Sequence, residues 1–301
     1  MTTAVINLLK PPGMTSHDVV AFVRRLYRQK KVGHSGTLDP AAAGVLPVYL
    51  GQATRLVEYA DEFDKSYRAE IIFGITTDTG DDTGTTLVSR SLNPGALDGL
   101  KDAVESFAGG YEQIPPMYSA LKINGKKLYE LAREGIEVER TARWIQINEI
   151  QLLWQSVDRA TIQVTCSKGT YIRTLCADIG DKLHLPATMG FLLRTHVGPF
   201  ALNQAHTLEE ITADPQGVLL PADIAVGHLA SCRVDANEAR LLQQGQAVVN
   251  RDESLRLSRA QLVRLYDNEG IFFGMGQLTC QAGMLQPIKI FADGIKKNVD
   301  N

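Results

Sequence analysis

Apolar and polar positions along the chain alternate in a way that predicts interleaved strands and helices. Ala4 to Leu9 reads as a strand ending at Lys10-Pro11-Pro12-Gly13. A basic helix follows, capped by Ser16 or Asp18 and running to about Lys31. Val32-Gly33-His34-Ser35-Gly36-Thr37 is polar and glycine-rich, hence a loop. β-Prone residues run from Tyr67 to Thr76, and Asp78 to Gly84 form an acidic turn. Leu97, Leu100, Val104 and Phe107 fall at helical spacing and predict a helix over about Ala96 to Ala108.

Beyond Pro116 the pattern gives a strand, an Asn124-Gly125 turn and a helix around Lys127 to Arg133. Two β-rich stretches, about Ile136 to Gln155 and Ala160 to Ser167, are joined at Asp158-Arg159. From Tyr171 to His184 an amphipathic helix carries the stripe Ile172, Leu175, Cys176, Ile179 and Leu183, and Pro186 ends it. A strand over Gly190 to Phe200 and a helix capped by Thr207 come next. Near Ala230 the character changes to a short helix, about Ala236 to Gln244. Strand-like pieces follow at Gln261 to Tyr266, Ile271 to Gln277 and Met284 to Phe291. No internal repeat shows. Strands mixed with helices, without regular βα alternation, indicate an α+β fold: a large unit over residues 1–229 and a small β-domain over 230–301.

Composition fits an ordinary soluble protein, with 44% hydrophobic and 22% charged residues in 301. The apolar runs fall short of the roughly 20 residues a membrane-spanning helix needs, and Met1 to Lys10 lacks the look of a leader. A cytoplasmic location is expected. Cys166, Cys176, Cys232 and Cys280 form no C-x-x-C pair and have no histidine at ligand spacing, so neither zinc nor a disulfide framework is expected. A net charge of -3 excludes indiscriminate nucleic-acid binding but hides its distribution. Residues 24–31, Arg-Arg-Leu-Tyr-Arg-Gln-Lys-Lys, are strongly basic, and Lys122, Lys126, Lys127 and Arg133 form a second group. Both patterns suit either a solvated face or a track for a phosphate backbone.

The chemistry concentrates at Gly33-His34-Ser35-Gly36-Thr37-Leu38-Asp39-Pro40. Asp39, followed by Pro40 and three alanines, has the form of a helix N-cap with proline at the first helical position. Against that stand two glycines that permit a tight backbone and a ring of polar groups, His34, Ser35 and Thr37, with no core to fill. Capping and catalysis are both open on these residues alone.

This loop resembles the G-H-x-G-x-L-D-P signature of the B family of bacterial pseudouridine synthases. Further blocks are similar, in order along residues 5–200. They are Leu9-Lys10-Pro11-Pro12-Gly13-Met14-Thr15-Ser16, Lys65-Ser66-Tyr67-Arg68, and Gln113-Ile114-Pro115-Pro116-Met117-Tyr118-Ser119-Ala120-Leu121-Lys122. Ser167-Lys168-Gly169-Thr170-Tyr171-Ile172-Arg173 and Phe191-Leu192-Leu193-Arg194-Thr195 complete the set. In the last block Leu193 stands where the family's L-R-R-T element has its first arginine, so no role carries over to it.

The resemblance implies a mixed, largely antiparallel central sheet with flanking helices and a PUA-like C-terminal β-domain. It implies an enzyme that isomerises uridine 55 in the T-arm of tRNA, acting as a monomer without cofactor, metal or protein partner. Asp39 would be the catalytic carboxylate, paired with Arg173, and Tyr67 would stack on the target uracil. Tyr171 and Leu192 would line the base pocket, and His34 would touch RNA where the nucleotide leaves its stack. On the residues alone, Tyr67 reads as a strand tyrosine and His34 as an exposed loop histidine. Arg173 shares a helix face with small residues, Cys176, Ala177 and Gly180, which suits a buried, paired arginine. Competing readings are an RNA-folding protein without chemistry, a glycosidase and a guide-RNA-dependent relative. A glycosidase needs two carboxylates, and the matching blocks offer no second one.

Overall fold

The structure is a computed structural model, described here for residues 2–119, 121–123, 125–249, 260–279 and 283–295. Asn124 of the expected turn, Ala120 of the fourth block and Cys280 lie outside the described residues.

A mixed sheet carries the main body. Its order is Ala4–Lys10, Ala43–Leu50, Ala187–Val197, Lys65–Phe73, Arg159–Cys166 and Ile147–Gln155. Val32–His34 pairs on Ala43–Leu50, and Phe200–Ala201 on Ala187–Val197. The pairing of Ala187–Val197 with Ala43–Leu50 is parallel and joins Leu193 to Ala43 and Arg194 to Gly44; the other pairings are antiparallel. In Lys65–Phe73 every second residue from Lys65 to Phe73 is buried, the alternation of a sheet with one covered face. The covered face packs against the helix Ile172–Lys182 and the helix Leu100–Glu105, with Leu38, Tyr67, Ile71, Ile162, Leu175, Ile179 and Leu192 in one apolar cluster. Gly180 permits the close approach: a Cβ there would lie 2.4 Å from the Cβ of Ala187.

The helix Ser16–Leu26 covers the other end of the sheet through Val19, Val20 and Val23. Its cap is Thr15, which forms a reciprocal box with Asp18, rather than Ser16 or Asp18. It stops well before Lys31, because Arg28 turns into the left-handed region at φ +49°. The expected loop at Val32 begins as a short strand, Val32–His34. No helix follows Asp39: Pro40 and Ala41 turn directly into the buried strand Ala43–Leu50. The helix over Ala96 to Ala108 shrinks to Leu100–Glu105. The stretch from Ile136 splits into Arg143–Ile145, paired with Tyr111–Gln113, and the sheet strand Ile147–Gln155.

From Ala230 a five-stranded sheet runs Ala230–Arg233, Gln261–Tyr266, Phe272–Leu278, Met284–Ile295 and Val248–Val249. It buries Cys232, Val263, Leu265 and Leu285 against Ala239 and Leu242 of the helix Ala236–Gln243. It also shares a core with the main body, where Phe272, Met275 and Phe291 pack with Val5, Val45, Tyr49, Leu56 and Val226.

Candidate active site

Asp39 lies on the segment between Val32–His34 and Ala43–Leu50. Three contacts fix this segment. Ser16, at the first turn of the basic helix, accepts from the Leu38 N–H at 3.0 Å and donates to its carbonyl at 3.3 Å. Lys10, fully buried, donates to the carbonyls of Pro11, Met14 and Pro40 at 2.9, 2.7 and 3.2 Å. The Gly13 N–H donates to the same Pro40 carbonyl at 2.8 Å. Burial pushes the Lys10 ammonium down to about 8, against the pull of Asp39. Leu38 is sunk in the core, while the carboxylate of the next residue stays 39% exposed.

Arg173 reaches it from the first turn of Ile172–Lys182, and its Nε lies 3.1 Å from Asp39 Oδ2. The guanidinium is nearly buried, and its other nitrogens are engaged. Nη1 donates to the Thr79 carbonyl at 2.8 Å and Nη2 to the Tyr118 carbonyl at 2.7 Å. The Thr79 carbonyl is set by the acidic turn, where buried Asp81 accepts from the hydroxyls of Thr79 and Thr83 at 2.7 and 2.6 Å. Arg173 is therefore a fixed donor with one nitrogen left for Asp39.

Tyr67 is 8% exposed and belongs to the same large apolar cluster as Leu38 and Leu192; Leu192 lies on the neighbouring strand, opposite Ala69. Burial raises its phenol above the usual range, and the positive charge of Arg194, its cross-strand partner, pulls the other way. Tyr171 stands at the N-cap of the Arg173 helix, with its N–H donating to Gln113 Oε1 at 2.8 Å and its carbonyl accepting from Gln113 Nε2 at 3.1 Å. His34 sits at the end of its short strand, edge-on to His17 with ring centroids 6.0 Å apart, and its Nδ1 is buried without a partner. Burial, with His17 and Arg194 nearby, brings its pKa down to about 4, so the ring is neutral at pH 7.

The structure thus pairs Asp39 with Arg173, sets Tyr67 and Leu192 on neighbouring strands of one core, and makes Tyr171 the N-cap of the helix that carries Arg173. It adds residues that sequence reasoning missed as parts of the site: Lys10, Ser16, Gln113 and the Thr79–Asp81 turn. Lys10 and Gln113 stood in matching blocks, but nothing local distinguishes a buried lysine from a surface one. Among the described residues no group of histidine, cysteine and carboxylate side chains is arranged to hold a metal ion.

A carboxylate held by a buried arginine beside the covered face of a mixed sheet makes a candidate carboxylate-centred site, and the fold around it is that of the pseudouridine synthases, as comparison with known proteins shows. Solved structures share that fold. The structure titled "Structure of H/ACA RNP bound to a substrate RNA containing 2'-deoxyuridine" aligns with a TM-score of 0.70 over 98% of this chain and 87% of its own, at 24% identity. A chain of a Cbf5-Nop10-Gar1 complex aligns at 0.69 over 98% and 84%, at 26% identity. Family models cover nearly the whole sequence. "TruB family pseudouridylate synthase (N terminal domain)" matches residues 24–172 and "tRNA pseudouridylate synthase B C-terminal domain" matches 173–226. "Pseudouridine synthase II TruB, C-terminal" matches 230–291. Proteins named tRNA pseudouridine synthase B are similar throughout. That of Caldanaerobacter subterraneus is 44% identical over 95% of this chain and 98% of its own length. That of Moorella thermoacetica is 45% identical over 96% and 99%. That of Symbiobacterium thermophilum is 51% identical over 81% and 82%. The chain belongs to the TruB family of pseudouridylate synthases.

Proposed function

We propose that the chain isomerises uridine 55 in the T-loop of tRNA to pseudouridine, with Asp39 as the catalytic carboxylate. The observation that carries this reading is the Asp39–Arg173 pair at 3.1 Å, its arginine held by two backbone carbonyls. The relatives' shared name supplies the tRNA substrate and the reaction.

The reaction breaks the C1'–N1 bond, turns the uracil and joins C1' to C5. Atoms are neither gained nor lost, so its balance calls for no oxidant, reductant or group donor. Breaking the glycosidic bond builds positive charge on the sugar, and a carboxylate facing C1' stabilises or captures it. Because Arg173 is aimed before substrate arrives, little reorganisation is needed when that charge develops. The base must leave its stack, at a cost of a few kcal/mol. Tyr67 and Leu192 offer the detached uracil an apolar wall, and Tyr171 closes the pocket. Neutral His34, at the rim, takes the RNA contact beside the vacated stack.

The exposed cations Arg24, Arg25, Arg28, Lys30 and Lys31 suit the phosphates of the T-arm. We assign residues 1–229 to catalysis and 230–301 to added tRNA affinity. The chain is taken to act as a monomer without a guide RNA, in the cytoplasm where tRNA is processed; the relatives' name supports the tRNA substrate. The test is a single-turnover incubation with unmodified tRNA transcript, followed by chemical mapping. Pseudouridine at position 55 is expected, and none with Asp39→Asn; equal product from both proteins would overturn the assignment.

A further inference from the structure

We propose that Arg194 is a second positioning arginine of this site, governing Tyr67 as Arg173 governs Asp39. The inference rests on the catalytic reading above.

Arg194 is 1% exposed, among the largest fully buried side chains described. Its Nε donates to the Val45 carbonyl at 2.8 Å and its Nη2 to the Gly36 carbonyl at 2.9 Å, and across the sheet it stands directly opposite Tyr67, both side chains buried. Among the described residues no carboxylate pairs with it. A buried cation satisfied by backbone carbonyls costs more desolvation than an apolar side chain of similar volume. Fold stability alone does not explain its presence.

Its partners belong to three pieces of the site: the loop carrying Asp39, the strand behind that loop, and Tyr67. Arg194 and Tyr67 are direct partners in the register between Ala187–Val197 and Lys65–Phe73. Two glycines make room for it. A Cβ on Gly36, at φ +71°, would lie 3.1 Å from Arg194 Nη1, and one on Gly44 would lie 2.2 Å from the Arg194 carbonyl oxygen. The loop and the arginine are therefore shaped to each other.

The buried guanidinium, on the strand directly opposite, sets the charge environment of the phenol, and its positive charge favours a hydroxyl whose hydrogen points away from it. The positive charge also opposes the effect of burial on the phenol. When uracil lies on Tyr67, the hydroxyl then has one orientation and one charge environment. Without Arg194 it would have several.

A double-mutant cycle between Arg194→Met and Tyr67→Phe tests this, read as single-turnover pseudouridine formation at saturating tRNA, with melting temperature and tRNA Kd as controls. Arg194→Met is expected to slow the step roughly 10²-fold, leaving Kd within about threefold. In a Tyr67→Phe background, the same change should slow it no more than about threefold, because the hydroxyl it serves is gone. Arg194→Lys, which keeps the charge and one donor, should recover part of the rate in the Tyr67 protein only. If Arg194→Met does not fold, Arg194→Lys takes its place in the cycle. Independent, multiplicative losses would show that Arg194 acts apart from Tyr67 and overturn the proposal, as would an unchanged rate. Inactivity of the parent protein would instead sink the catalytic reading itself.

Discussion

Around Asp39 the buried polar side chains include Lys10, Lys65, Arg173 and Arg194. At the seam with the sheet from Ala230 onward the buried side chains are Val5, Val45, Tyr49, Phe272, Met275 and Phe291. In the cleft each cation is held by backbone carbonyls. Lys65, for example, donates to those of Asp61 and Phe63 at 2.9 and 2.6 Å. At the seam apolar contact dominates and the polar contacts sit around it. Arg55 donates to the Ile290 carbonyl at 2.6 Å, Lys289 donates to the Arg55 carbonyl and pairs with Glu58, and Arg264 reaches the Leu229 carbonyl. Apolar burial is non-directional and tolerates small shifts, whereas carbonyl-clamped cations fix direction at a cost in desolvation. The cleft is built for aim and the seam for adhesion.

Changes in the two regions should separate accordingly. Asp39→Asn should reduce single-turnover product by at least roughly 10³-fold. It should leave circular dichroism and tRNA binding intact, since Arg173 keeps its two carbonyl bonds and no helix depends on Asp39. Substantial product from the folded variant would end the catalytic reading. Phe291→Ala, at the seam, should do the reverse: about 3–5 kcal/mol of stability lost in denaturant melts, with the chemical step unchanged once tRNA saturates. The same shared core predicts that a chain cut after residue 229 melts well below the parent. A truncation as stable as the parent would mean that the seam contributes little. Arg173→Lys should cost roughly 10²-fold in the single-turnover step, because a point charge cannot hold Thr79, Tyr118 and Asp39 at once. A rate near that of the parent would remove the need for a three-way clamp.

A smaller effect concerns His34, whose pKa falls from the usual 6.5 to about 4 in the folded chain. Between those values the unfolded chain binds a proton that the folded one refuses, so stability falls as pH drops from about 6.5 to 4. His34→Gln should flatten that part of a melting-temperature profile against pH; an unaltered profile would place the acid sensitivity elsewhere. The smallest effect is expected from the exposed basic helix end. Lys30→Ala and Lys31→Ala should each reduce the salt slope of tRNA binding by about one unit if the residue meets a phosphate. No change would return them to a solvated face.

Much of this was legible in short stretches of chain. The stripe from Ile172 to Ile179 and the small residues beside Arg173 anticipated a packed helix with a buried arginine, and Arg173 is buried on it. The five-stranded sheet begins at Ala230, where the composition changes. The Asp39-Pro40 dipeptide misled, because its local preference for a helix start lost to the burial of all of Ala43–Leu50 between two neighbouring strands. The charge pattern predicts a basic helix longer than Ser16–Leu26 because it carries no stop signal, whereas Arg28 supplies one through its backbone.

Element types, the order of the motif blocks and the small residues that let strands and helices approach were set by the sequence itself, because spacing and side-chain volume act over a few residues. The choice of Asp39 as the carboxylate that meets Arg173 belonged to tertiary structure. So did the sinking of Lys10 and Arg194 into carbonyl cages and the refusal of a proton by His34. Those outcomes depend on where the carbonyls of Pro40, Thr79, Tyr118, Gly36 and Val45 converge. Backbone groups are the same in every residue, so their convergence is written only in the folded chain.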